Sequence, residues 1–258
     1  MQDRFQVLWL NASPSLKHFD MPLLRYLSQH IPVFCWEYSQ TQDEACSLDQ
    51  AVVLLHDYLK FRNAPVHLAG HGMGGVVGLM YARRYPRRVC SLTLLAVAAQ
   101  PATTWHTHYY VQRQLLPCSR QQVLAQMVRS LFGSQFSYPV RDLVTALSRD
   151  LEETPALHSL FKLVSLTKGG VSAPLMICGS ESDPVVSLLG LYEWHQWLKP
   201  GDRLIEFADG HHFFHTFYPE QVGAELLEFW QATDVQQTPD ETAQTVPHQS
   251  LKAVRDKG

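Results

Sequence analysis

Residues 70 to 75 read Gly-His-Gly-Met-Gly-Gly and lie between an apolar strand-like run, Val66 to Gly70, and the apolar helical run VVGLMYARRY. A strand-to-helix turn this tight needs small residues on both sides and holds its central residue in strained backbone geometry. The centre here is Gly72, which has no side chain and cannot be a nucleophile. Gly70, Gly72 and Gly75 also satisfy the spacing of a phosphate-cradling G-x-G-x-x-G loop. A dinucleotide site would want an acidic residue closing the next strand. That strand ends in Ala98, Ala99 and Gln100, and the motif follows the third strand rather than the first, so no nucleotide is expected. A second constellation is DGHHFFHTFYPE, with His211, His212 and His215. Four-residue spacing puts His211 and His215 on one face only of a helix, and no third ligand of fitting spacing is visible, so no metal is expected. A third is TWHTHYY, where Trp105, His106, His108, Tyr109 and Tyr110 combine apolar bodies with polar tips, as ligand-lining residues often do.

The elements that must position these residues alternate. Strands are expected at Phe5–Asn11, Val33–Tyr38, Val66–Gly70, Ser91–Val97, Pro174–Ser180 and Arg203–Ala208. Helices are expected at Leu16–His30, after a capping box at Ser47–Gln50, at Ser187–Leu198 and at Pro219–Ala232. Between the fourth and fifth strands, the stretches Thr104–Leu116, Ser119–Phe132, Val140–Leu151 and Ala156–Thr167 are helical in pattern. The expectation is an α/β fold, a mostly parallel central sheet with helices on both faces and an inserted helical cap. Residues 1–97 and 174–233 form its core, 98–173 the cap, and 234–258 a polar, aperiodic, disordered tail.

VHLAGHGMGGVVGLMYARRYP resembles the nucleophile elbow of the α/β-hydrolase superfamily, whose common form is G-H-S-M-G-G, with Gly72 in the serine's place. The likeness covers most of residues 5 to 232. It implies that PLMICGSESDPVV is the acid loop, with Asp183 as the acid and Glu181 as the fallback. It implies that His212, counted back from Pro219, is the catalytic-type histidine, with His211 the runner-up and His215 fitting neither count. The superfamily's His-Gly after its first core strand reads Asn11-Ala12-Ser13 here, where a main-chain N–H could still serve an oxyanion. The Met73 N–H, at a helix N-terminus, is untouched by the change at Gly72. Asn11, Ala12, His71, Met73, Trp105, His108 and Tyr109 are the candidate binding residues.

Net charge of -3 gives no electrostatic reason for a nucleic acid or an anionic membrane as partner. No apolar run approaches a bilayer span, and Phe5–Leu10 is too short and lacks the basic flank of a signal peptide, so a cytoplasmic protein is expected. Five cysteines without a CxxC pair suit a reducing compartment, with Cys35, Cys90 and Cys178 read as small buried hydrophobes. Two functions follow from the resemblance, neither with a cofactor. One is a non-catalytic scaffold for a protein partner or for a small apolar or carbonyl-containing ligand under the cap. The other is a noncovalent enzyme, of hydrolase or lyase/oxygenase type, with a His212–Asp183 dyad as general base.

Overall fold

Six short runs of β-branched and aliphatic residues pair side by side, all parallel, in the order β2-β1-β3-β4-β5-β6. The computed structural model describes residues 7–39, 47–62, 64–134, 136, 138–154 and 166–237. The strands are β1 (Val7–Asn11), β2 (Val33–Glu37), β3 (Val66–His71), β4 (Val89–Leu95), β5 (Leu175–Ser180) and β6 (Arg203–Phe207). The helices are α1 (Met21–Ser28), α2 (Leu48–Leu59), α3 (Gly72–Arg84), α4 (Trp105–Leu115), α5 (Arg120–Phe132), α6 (Val140–Glu153), α7 (Leu188–Tyr192) and α8 (Pro219–Gln237).

Side chains alternate across a strand, so β1 feeds two apolar layers. Leu8 and Leu10 join Leu55, Val77 and Leu79 of α2 and α3 on one face. Val7 and Trp9 join Leu23, Leu27, Leu226 and Trp230 of α1 and α8 on the other. Burial on both faces explains why β4 is buried at every position, as parallel strands require. β2 is an edge strand, and this corrects one expectation: Cys35 is exposed, whereas Cys90 and Cys178 are buried as expected.

Other boundaries shift for local reasons. The helix expected over Leu16–His30 is a 3-10 turn, Pro14–Phe19, followed by α1. Pro22 sits in the first turn of α1, where its missing N–H costs nothing but cannot continue an earlier helix. Ser47 is the N-cap of α2 but makes no side-chain capping bond. Ser187–Leu198 divides into α7 and a 3-10 turn at Glu193–Gln196. The last helix continues past Ala232 to Gln237, so Asp234–Gln237, expected in the tail, are helical. Asp234 is held by His67, whose Nε2 lies 2.9 Å from its Oδ1, while His67 Nδ1 meets Ser91 Oγ at 2.7 Å. The segments 155–165 and 238–258, where most of the fourth helix expected in the insertion and the rest of the expected tail fall, lie outside the described residues.

The chain leaves β1 to build β2 on one side, then returns to build β3 on the other. The sheet's switch point therefore lies between β1 and β3, where their C-terminal ends open a crevice suited to ligands. The Asn11–Ser13 loop and the Gly72 turn both start there.

Candidate active site

Gly72 is the first residue of α3 and has φ +48°, a backbone shape that favours glycine. The surrounding glycines answer a different need, close approach. A Cβ on Gly70 would stand 2.7 Å from the Gly74 carbonyl carbon, and one on Gly75 would stand 2.7 Å from Val97 Cγ2. A Cβ on Gly74 would overlap the Leu10 carbonyl oxygen. At Gly72 the space is open, and a Cβ would meet only His212 Nε2, at 3.8 Å.

His212 follows β6 in a 3-10 turn, His211–Phe213, entered through Gly210 at φ +101°. Its Nδ1 lies 2.8 Å from Asp183 Oδ2, and both residues are 3% exposed. Asp183 follows β5, and its Oδ1 accepts the Val185 N–H at 2.8 Å. Burial pushes the Asp183 carboxyl up, but the His212 charge and hydrogen bonds from His212, Val185 and Val186 outweigh it and hold the group below the usual carboxylate range. Of the two acids in the acid loop, Glu181 is exposed. His211 Nε2 packs against Gly133, 2.6 Å from where a Cβ would stand, and so belongs to the end of α5 rather than to Asp183.

His71 supports the histidine turn from below. Its Nε2–H donates to the His212 carbonyl at 2.8 Å. Burial, with the nearby His215 and His212 charges, keeps its imidazole well below the usual histidine range, so it is neutral. His215 Nε2 lies 2.9 Å from Asp20 Oδ1, while Asp20 Oδ2 accepts from Trp9 Nε1 at 2.9 Å and from Asn11 Nδ2 at 3.2 Å. Asp20, His71 and His215 thus bring ligand-type atoms within 4.8 Å of one another. The cluster takes in His215 but not His211, and it arises from three separate segments rather than from any sequence spacing. Asp20 is 195 residues from His215 in sequence, beyond any spacing rule.

The crevice is lined by Asn11, Ala12, Ser13, His71, Gly72, Met73, Trp105, His106 and His212, among others, and encloses a void of about 30 Å³. Asn11 shapes its loop by accepting the Ser13 N–H on Oδ1 at 2.9 Å. Two expected lining residues are not there. Tyr109 is buried in the apolar layer instead. His108 also lies outside the lining, though close enough for the His212 charge to add to burial in lowering its pKa. Helical geometry explains the exchange. Trp105 and His106 start α4 at the crevice, while positions three and four residues on fall one turn further along it.

Residues 8–225 match the family model described as alpha/beta hydrolase family. The chain belongs to the alpha/beta hydrolase family. An uncharacterized protein of Nostoc sp. (strain PCC 7120), alr2406, is 54% identical over 248 residues, covering 96% of this chain and 98% of that protein. Monoacylglycerol lipase ABHD6 of Bos taurus is 28% identical over 116 residues, 42% of this chain and 34% of the lipase. Among solved structures, a putative lipase of Acinetobacter baumannii has a TM-score of 0.69 at 18% identity, covering 92% of this chain and 87% of that one. These likenesses carry the hydrolase fold. Among the described residues, no helix is long and apolar enough to cross a membrane. Local sequence gave no sign of Asp20, because its partner His215 lies 195 residues away and no local motif joins them.

Proposed function

We propose that this hydrolase-fold protein lacks the covalent serine step and that His212, oriented by Asp183, acts as a general base on water in the cleft. Gly72 takes the position that a serine would occupy in a nucleophile elbow, and helices α4–α6 act as a cap. The observation that carries this reading is the direction of His212. Its Nδ1 is tied to Asp183, and its Nε2 faces the unfilled space beside Gly72. A void of about 30 Å³ admits a water molecule, for which about 10–15 Å³ is enough. That water would stand where a seryl hydroxyl would otherwise be.

In this reading His212 Nε2 takes a proton from the water as its oxygen bonds to a substrate acyl carbon. The developing oxyanion faces the Met73 N–H, in the first turn of α3 where N–H groups lack intrahelical partners, and the main chain of Asn11–Ser13. The substrate class is a small ester or related acyl compound with an apolar acyl chain, suited to the Leu16, Val76, Val97 and Phe213 walls. General-base assistance contributes about 10²–10⁴-fold. The rate should therefore fall far below that of an enzyme with a serine nucleophile, whose loss costs about 10⁶-fold.

The test is hydrolysis of p-nitrophenyl butyrate by the parent and by His212→Gln. A loss of about 10²-fold or more in the variant supports the reading. Equal rates overturn it. The narrowness of the void favours a second reading, a scaffold that binds without turnover. That reading gains if the parent hydrolyses no ester above background.

A further inference from the structure

Beside His212–Asp183 and His215–Asp20, a further histidine–aspartate pair reaches the cleft, and the reading above does not use it. Asp150, on α6, is fully buried. Its Oδ1 accepts from Thr154 Oγ1 at 2.7 Å and from Ser15 Oγ at 3.0 Å. Its Oδ2 lies 3.0 Å from His106 Nε2, without the alignment of a hydrogen bond. His106, on α4, is 3% exposed and lines the same cleft as Gly72, Met73 and His212. Among the described residues, neither ring nitrogen of His106 completes a hydrogen bond, nor does Asp150 Oδ2. Two of these atoms face each other across 3.0 Å, and the third, the buried His106 Nδ1, calls for a partner. A buried carboxylate is costly unless paired. Asp150 therefore favours a proton on the His106 nitrogen facing it and leaves the other nitrogen for whatever enters the cleft.

We propose that His106, set 3.0 Å from the buried Asp150 carboxylate, is a second acid–base group of the cleft and that it protonates the leaving group. The inference rests on the general-base reading above. Water loses a proton to His212 Nε2 while its oxygen bonds to the acyl carbon. The tetrahedral adduct then collapses, the bond from carbon to the alcohol oxygen breaks, and the proton of imidazolium His106 passes to that oxygen. The products are an acid and an alcohol. His212 ends protonated and His106 neutral, and solvent exchange returns both to their starting states.

A general acid matters when the leaving group is a poor one and matters little when it departs as a stable anion. The experiment compares ethyl butyrate with p-nitrophenyl butyrate in the parent, His106→Gln, Asp150→Asn and His212→Gln. The expected result is that His106→Gln loses about 10²-fold more on the ethyl ester than on the p-nitrophenyl ester. Asp150→Asn, which keeps the side-chain shape and an acceptor for Ser15 and Thr154, should show the same selectivity at about tenfold. It carries the test if His106→Gln fails to fold. A structural role would slow both esters alike, and that result, or no change on either, overturns the assignment. His212→Gln separates the two failures. If it slows both esters while His106→Gln does not discriminate, only the His106 assignment falls. If it slows neither, the general-base reading falls and takes this inference with it.

Discussion

Gly72→Ser is the perturbation whose outcome the geometry constrains most tightly. A Cβ at residue 72 would meet nothing nearer than His212 Nε2 at 3.8 Å, an ordinary contact, so the side chain enters without displacing a neighbour. A hydroxyl turned toward that nitrogen would come to hydrogen-bond distance of it, about 2.6–3.2 Å. The cost is backbone strain. At φ +48° a residue with a Cβ loses about 1–3 kcal/mol. At about 2–4 °C per kcal/mol for a domain of this size, the melting temperature should fall by about 2–12 °C. In exchange the variant holds hydroxyl, imidazole and carboxylate in line. A fluorophosphonate probe should label Gly72→Ser at residue 72 and leave the parent unlabelled. Ester turnover should rise by at least about 10²-fold, a modest part of the roughly 10⁶ that a serine nucleophile supplies. Gly74→Ser is the control. Its Cβ would overlap the Leu10 carbonyl oxygen, so the turn should not form and soluble yield should collapse. A folded Gly72→Ser protein that is neither labelled nor faster would refute the claim that His212 is aimed at residue 72.

Asp183→Asn removes the charge that orients His212. General-base hydrolysis should fall by about 10²-fold while the melting temperature drops only a few degrees, read by kinetics and calorimetry together. His71 is held neutral in the fold but binds a proton near the ordinary histidine pKa of 6.5 when unfolded. Its stabilising contribution is thus present above that value and is lost as pH falls from 6.5 toward the lower folded-state pKa. His71→Gln should flatten the decline of melting temperature between pH 7 and pH 5, and an unchanged slope would contradict the assignment. Cys35 is exposed on the edge strand, whereas Cys178 is fully buried and burial pushes its thiol up. In a Cys46→Ser background a chromogenic disulfide should modify Cys35 in the native protein and reach Cys178 only on unfolding. Early modification of Cys178 would show that β5 is less protected than the sheet implies.

The local chemistry of the chain determined the sheet, the turn and most of the helices. Near-continuous apolar runs such as SLTLLAV suit strands buried on both faces, as in a parallel sheet covered by helices. Gly70, Gly74 and Gly75 admit a strand-to-helix turn that side chains at those positions would block. The resemblance to the hydrolase superfamily, counted back from Pro219, implied His212 with His211 as runner-up, and the fold sets His212 Nδ1 2.8 Å from Asp183. What sequence could not determine were the meetings between segments. Nothing local indicates that Asp20 holds His215 across 195 residues, or that Asp150 reaches His106. Nor does local sequence show that Tyr109 turns into the core while His106 faces the cleft. Those outcomes depend on where whole helices sit on the sheet, which the summed packing of distant apolar faces decides. A motif records only the neighbours that the chain itself supplies.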